Sequence, residues 1–412
     1  MLSSAHRTRP VRAATCPFSG RRPLREEVSV DAFTAQLQTL RPTGSDNALP
    51  GDPRPLLGPG TLTWKVYGES AALLGAARAL LLQFSHPAVE GLAAHSTLMQ
   101  EPGVRFHETL RVVYQMAFGP WSEAALLAER VFSRHRRVFG RYSRTRGNYR
   151  AGDRYSATQI ELLVWVAATI TDTNVLTYES MIGPLSEIEK DLLVVEAGEL
   201  FGLFGVPRGR FPASWRGFRE YFDGIVNSGI LAVDEHSKAL AARILEPLRP
   251  GDEALYWLVK QLTARWLPPH LRRAYGFADN PMARATRATL ERALRVTVSK
   301  LPRHLRFCPA RINAEHRLAG NHGQDPDAAW LERGLARVFG VEPASLEPRL
   351  HDPHQGQGQG QGQGSDLQLG EPVVAGHLPA GLDVSSSASP PLDAGLRSSS
   401  ASTLLKRICS YS

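Results

Sequence analysis

A histidine set among aliphatic residues is the first feature of this chain able to carry chemistry. In WSEAALLAERVFSRHRRVFG, residues 121–140, Ala124, Leu127, Ala128, Val131, His135, Val138 and Phe139 recur at the i, i+3, i+4, i+7 spacing of one helical face. Glu129, Arg130, Arg134, Arg136 and Arg137 fall beside or opposite it. An imidazole on an apolar face must find a partner, because a buried unpaired polar group costs about 1–3 kcal/mol. A backbone carbonyl or another side chain would make it a structural residue. A metal ion would make it a ligand, with neighbouring arginines such as Arg137 facing an anionic cofactor.

Other polar residues stand in similarly apolar surroundings. Residues 104–118 place Arg105 and Thr109 one turn apart, on a face shared with Val112, Val113 and Met116. Directed inward, such a pair could stabilise bound oxygen or an oxyanion, or could cap a neighbouring helix. Residues 157–179 are apolar nearly all round, which marks a central helix, yet they carry Thr169, Thr171, Asp172, Thr173 and Asn174. A buried aspartate needs a cation or a helix N-terminus, so Asp172 is expected to meet an arginine. His86, in LLQFSHP, either caps the helix that Pro87 would open or is a second buried histidine. His95 and His107 read as surface or edge residues. Together His135 and its arginines, the Arg105–Thr109 pair and His86 could furnish a haem pocket.

Several other chemistries lack their motifs. No CxxCH is present, so haem would not be tethered covalently. HExxH and paired ExxH motifs are missing, as are GxGxxG and Walker loops; GLFGVPRGR has glycines in the wrong setting. The 48 basic and 40 acidic residues are mixed along the chain, and the net charge of +8 is not gathered into a basic block with interleaved aromatics. Nucleic acid is therefore not an expected partner. Cys16, Cys308 and Cys409 make neither a zinc spacing nor a disulfide framework, which favours a reducing, cytoplasmic compartment. Six arginines and no acid in the first 25 residues leave an organelle-targeting leader as the alternative. With no uninterrupted run of about 18 apolar residues, no transmembrane helix is expected.

The elements that must position these residues are helices. Helical patterning falls at residues 71–84, 87–96, 104–118, 122–139, 157–179, 187–204, 214–226, 235–244, 253–266, 268–275, 281–299 and 327–339. Ser186 with Glu189 forms a capping box, and Ser156 stands where an N-cap belongs. Alternating strand patterns are almost absent and no repeat period appears. The expected fold is all-α, a single orthogonal helical bundle between disordered N- and C-terminal segments. Residues 1–59 read as an irregular leader, 60–345 as the helical domain, and 346–412 as a low-complexity tail containing QGQGQGQG, with a short possible helix near 402–408.

Within that domain, GESAALLGAARALLLQFSHPAVEGLAAHS resembles the opening of the mpaB-type and rubber-oxygenase (latex-clearing protein) catalytic domain. The likeness continues through RFHETL, HRRVFG, RYSATQIELLVWVAATITDTNVLTYESMIGPLS and GVPRGRFPASWRGFREYFD and fades near LPPHLRRAYGF, covering about residues 61–277. The resemblance implies an all-helical domain that binds haem b without a covalent link and acts as an oxygenase or related oxidoreductase. It implies His135 as the axial iron ligand, Arg105 and Thr109 as the distal Arg-x-x-x-Thr pair, and Thr169 as the threonine of the W-V-x-A-T segment. The chain departs from the pattern twice. Ala167 stands where many relatives have histidine, and Glu108 where rubber oxygenases have lysine, which argues against polyisoprene as the substrate.

The expected function is a haem b-dependent oxygenase using dioxygen on an apolar small molecule. Arg105 and Thr109 would be catalytic, His135 would hold the iron, and Thr169, His86 and Arg137 would help bind the cofactor. A haem carrier or sensor without turnover is the alternative, and a haem-free helical scaffold is a third reading.

Overall fold

Polar caps written into the sequence set where seven of the described helices begin. Ser29, Thr61, Ser186, Ser214, Asp234, Asn280 and Asp325 each accept a backbone N–H of the first turn that follows. Ser186 and Glu189 close the full capping box. The computed structural model describes residues 26–40, 42, 52–87, 101–146 and 149–341.

In chain order the helices are α1 (Val30–Thr39), α2 (Leu62–Tyr67), a 3-10 turn (Ser70–Gly75) leading into α3 (Ala76–Phe84), α4 (Pro102–Phe118) and α5 (Trp121–Arg136). A two-stranded antiparallel hairpin follows, β1 (Phe139–Arg141) with β2 (Arg154–Ser156). Then come α6 (Ile160–Met181), α7 (Glu187–Gly202), α8 (Trp215–Asn227), α9 (Glu235–Leu245) and α10 (Glu253–Trp266). The described chain closes with α11 (Pro269–Ala274), α12 (Pro281–Val298), α13 (Arg303–Arg306), α14 (Pro309–Leu318) and α15 (Pro326–Val338). The protein is all-α apart from that hairpin.

α6 is the central element, packed against the 3-10 turn, α2, α3, α7 and α12. An 18-residue stretch of its 22 residues reaches a mean hydropathy of 1.2, so among the described residues one helix is long and apolar enough to cross a membrane. The apolar run is not unbroken, since Glu161, Asp172, Asn174 and the threonines interrupt it. In this fold the helix lies in the core, with Trp165, Thr169 and Met181 fully buried. Glycine lets the chain come close to it. A Cβ on Gly75 would lie 2.5 Å from both Thr173 Cγ2 and Thr177 Oγ1.

Three local expectations are corrected. Ser156 does not cap α6; it ends β2 and its hydroxyl serves Thr158, while Gln159 holds the cap position without a side-chain bond. The helix through His135 stops at Arg136, and Phe139 turns outward in β1. The stretch read as an irregular leader contains α1, because Phe33 and Leu37 bury one side of it and Phe33 stacks on Phe132 of α5 at 4.0 Å. The helix expected over 87–96 and the tail 346–412 lie outside the described residues.

Candidate functional site

His135 occupies the last turn of α5, where the helix C-terminus would favour a cation. Burial overrides that preference and lowers its pKa to about 4, and the positive charges of Arg105, reaching from α4, and Arg134 add to the effect. The ring is therefore neutral at pH 7, with a lone pair to offer. Its Nδ1 is buried without a hydrogen-bond partner. It shares that state with Trp165 Nε1, Thr263 Oγ1 and Arg287 Nη1 among the described residues.

Arg105 and Thr109 do lie one turn apart, but not on a buried face. Arg105 is half-buried, with its guanidinium 3.5 Å from Glu108 Oε2. Thr109 is exposed, and its hydroxyl donates to the Arg105 carbonyl at 2.9 Å. The sequence put this face inward because Val112, Val113 and Met116 share it, yet only Met116 is fully buried. The side of α4 that does go inward near its start carries His107, read above as a surface residue. The ring of Phe339, just beyond α15, lies 6.0 Å from the His107 ring, and burial lowers the His107 pKa. A cover supplied from more than 200 residues away leaves no trace in local periodicity.

His86 and Thr169 belong to a different constellation, the polar seam between α3 and α6. The two run antiparallel, and their pairs fall in step. Arg78 donates to Thr173 Oγ1 and Asp172 Oδ2, both at 2.6 Å, and to the Trp266 carbonyl at 2.9 Å. Gln83 Nε2 donates to Thr169 Oγ1 at 2.9 Å. Just past α3, the buried His86 ring lies 5.8 Å from Trp165 and 6.0 Å from Tyr149, and burial lowers its pKa to about 3. The Thr169 hydroxyl also donates to the Val166 carbonyl at 2.8 Å, so its bonding is complete. Asp172 meets arginine as expected, and meets two, since Arg219 also bonds it.

Sequence reasoning missed the seam's continuation. Glu161, one turn before Trp165 on α6, is pushed up to about 7 by burial, against the opposing pull of a hydrogen bond from Tyr149. The indole Nε1 of fully buried Trp165 has no partner. The signal was present in the spacing: Glu161, Trp165 and Thr169 recur every fourth residue along α6. Arg137 lies elsewhere, exposed on the outer side of α5 in an open cleft with Glu129, Arg130, Ser133 and Arg134. The structure thus brings Arg105 to His135 and His86 to the Thr169 helix. Among the described residues no hydrogen bond, ion pair or ring contact joins the two groups.

What could such a site hold? Among the described residues no group of three or more His, Cys, Asp or Glu gathers as a metal site. A bare ion therefore lacks a ligand set here. A metal that brings a macrocycle needs as little as one protein imidazole, and the half-buried, neutral His135, with its Nδ1 unpartnered, fits that need.

The described residues form a helical domain with a buried polar seam and, apart from it, an imidazole whose Nδ1 is unpaired. The model of the family described as ER-bound oxygenase mpaB/B'/Rubber oxygenase, catalytic domain, matches residues 64–299. The chain belongs to that family. The match runs from Trp64 in α2 to the residue after α12, beyond the 61–277 stretch over which the motifs are legible. No curated protein and no solved structure matches the chain.

Proposed function

We propose that the chain is a haem b-dependent oxygenase acting on an apolar small molecule, with His135 as the protein's ligand to the iron. The observation that carries this reading is the half-buried, neutral His135 ring, with its Nδ1 buried and unpartnered, in a chain of an oxygenase family. The bound group would supply a redox-active iron at which dioxygen is activated. The protein's own residues divide the remaining work. Arg105 places a fixed positive charge and N–H donors next to the His135 ring, where they serve an anionic edge or a polarised oxygen. Thr109 reaches the same ligand only by giving up its bond to the Arg105 carbonyl. Thr169 and His86 contribute at a distance, by locking α6 onto α3. Arg137, on the outer cleft, takes no part in holding the group.

The haem-free scaffold draws its support from one fact, that both threonine hydroxyls are already satisfied by backbone carbonyls. The visible spectrum separates the readings. Protein produced with ample haem should show a Soret band that acid–acetone releases, and His135→Ala should lose most of it while keeping its helical circular dichroism. Colourless wild-type protein would overturn the haem reading and favour the scaffold.

A further inference from the structure

The exposed side of α5 and its C-cap carry Arg130, Arg134 and Arg137 at i, i+4 and i+7, a ladder about 10 Å long. With Glu129 and Ser133 they line an open cleft of about 430 Å³. All five residues are exposed. Some arginines of the protein hold carboxylates, Arg54, Arg78, Arg219 and Arg306 among them. Among the described residues the three arginines of the ladder hold none, although Glu129 stands in the same cleft.

Large apolar side chains flank the ladder. Leu126 precedes Arg130 by one turn on the same face and is 55% exposed; Phe139, just beyond the helix, is 56% exposed. The basic surface continues onto the hairpin, where exposed Arg141 pairs in register with exposed Arg154. Arginine suits phosphate because its planar guanidinium presents several donors at once. Bulky apolar residues beside basic ones characterise surfaces that lie in the interface of a bilayer.

We propose that this face docks the protein peripherally on a membrane containing anionic phospholipids. Arg130, Arg134 and Arg137 take headgroup phosphates, and Leu126 and Phe139 enter the interfacial layer. An acidic protein or a nucleic acid would use the arginines but has no comparable need for exposed leucine and phenylalanine at both ends of the ladder. The proposal does not rest on the haem reading, although one of its residues, Arg134, also bears on the charge around His135.

The test is co-sedimentation of the full-length protein with phosphatidylcholine vesicles made with and without phosphatidylserine. Wild type should pellet with the anionic vesicles, fail to pellet with the neutral ones, and be released by high salt. Arg130→Glu/Arg134→Glu/Arg137→Glu should weaken binding at least on the order of a hundredfold, since each basic residue near a charged bilayer contributes severalfold. Leu126→Ser/Phe139→Ser should weaken it while leaving a salt-sensitive remainder. Thermal melts of both variants should match wild type, because every changed side chain is exposed. Failure of wild type to pellet with anionic vesicles, equal pelleting with neutral ones, or undiminished binding by the arginine variant would each overturn the proposal. So would an unchanged Leu126→Ser/Phe139→Ser variant, which is the result expected if the face serves an acidic protein or nucleic acid.

Discussion

The α3–α6 seam and the α4–α5 pair both bury polar groups, and they treat them in opposite ways. In the seam, Arg78 spends three donors on Asp172, Thr173 and Trp266, and Gln83 and the Thr169 hydroxyl complete each other. In the α4–α5 pair, the His135 Nδ1 has no partner. A satisfied network rigidifies and specifies packing, whereas an unsatisfied buried atom costs stability and persists where something else uses it. Burial alone did not separate structural from functional polar residues in this chain, and an unpartnered atom does not do so alone either, since Trp165 Nε1 in the seam's continuation also lacks a partner.

The largest effect should come from breaking the seam. Arg78→Met leaves Asp172 buried with only the half-exposed Arg219 for company, and loss of one partner from a buried ion pair costs about 3–5 kcal/mol. Chemical denaturation should register that loss in full while haem content per folded molecule stays unchanged. Arg78→Met/Asp172→Leu should recover part of it, because no uncompensated charge is left behind. A single variant within about 1 kcal/mol of wild type would show that the seam is not the clasp described here.

His135→Leu should behave in the reverse manner. Removing the half-buried ring with its buried, unpartnered Nδ1 relieves a cost of about 1–3 kcal/mol, so the haem-free protein should hold its stability or gain. The Soret band should disappear. The pH dependence has a defined sign. With the folded pKa lowered to about 4 from an ordinary 6.5, the unfolded chain takes up the proton first, and stability falls as pH drops through that window. His135→Leu should flatten that part of the acid limb. A drop of more than about 2 kcal/mol in the haem-free variant would place His135 among the structural residues.

How much of this was legible beforehand follows the range of the forces involved. Caps, helical periods and the need of Asp172 for an arginine are local or chemical facts, and Ser186, α6 and Asp172 were readable from them. Which side of α4 turns inward is not local. It depends on Phe339 packing over His107, and the period-based reading chose the face bearing Thr109 instead. The arginine partners of Asp172 were foreseen as a type but not as Arg78 and Arg219, since pairing across 94 and 47 residues is decided by tertiary packing. Glu161 was overlooked because a carboxylate at the start of a helix ordinarily reads as a dipole partner in solvent.

Glu161 gives the next effect in size. Its carboxyl, pushed up to about 7 by burial, stays protonated in the folded state after the unfolded chain has ionised near its ordinary value of 4.5. Stability from this group is therefore complete below about 4.5 and is lost as pH rises toward 7. Glu161→Gln should remove that slope and be most favourable, relative to wild type, above pH 7. The check is a series of melts across this range; parallel curves for the two proteins would mean that the carboxyl titrates in solvent.

The smallest effects separate the two residues that the family motif joins. Arg105 charges the surroundings of His135, so Arg105→Ala should raise the histidine's pKa in the haem-free protein, read by NMR titration of the ring. In the haem-loaded protein it should weaken oxygen or carbon monoxide binding about tenfold, the effect of losing one charge-assisted hydrogen bond. Thr109 is exposed and bonded to its own helix, so Thr109→Val should change stability by less than about 0.5 kcal/mol. Its ligand kinetics are the sharper measurement. If stopped-flow binding is unchanged in Thr109→Val and slowed in Arg105→Ala, the arginine alone does the polar work beside the haem. If both variants lose affinity equally, the Thr109 hydroxyl must leave the Arg105 carbonyl when a ligand binds, and the contrast between a satisfied and an unsatisfied group holds only in the resting protein.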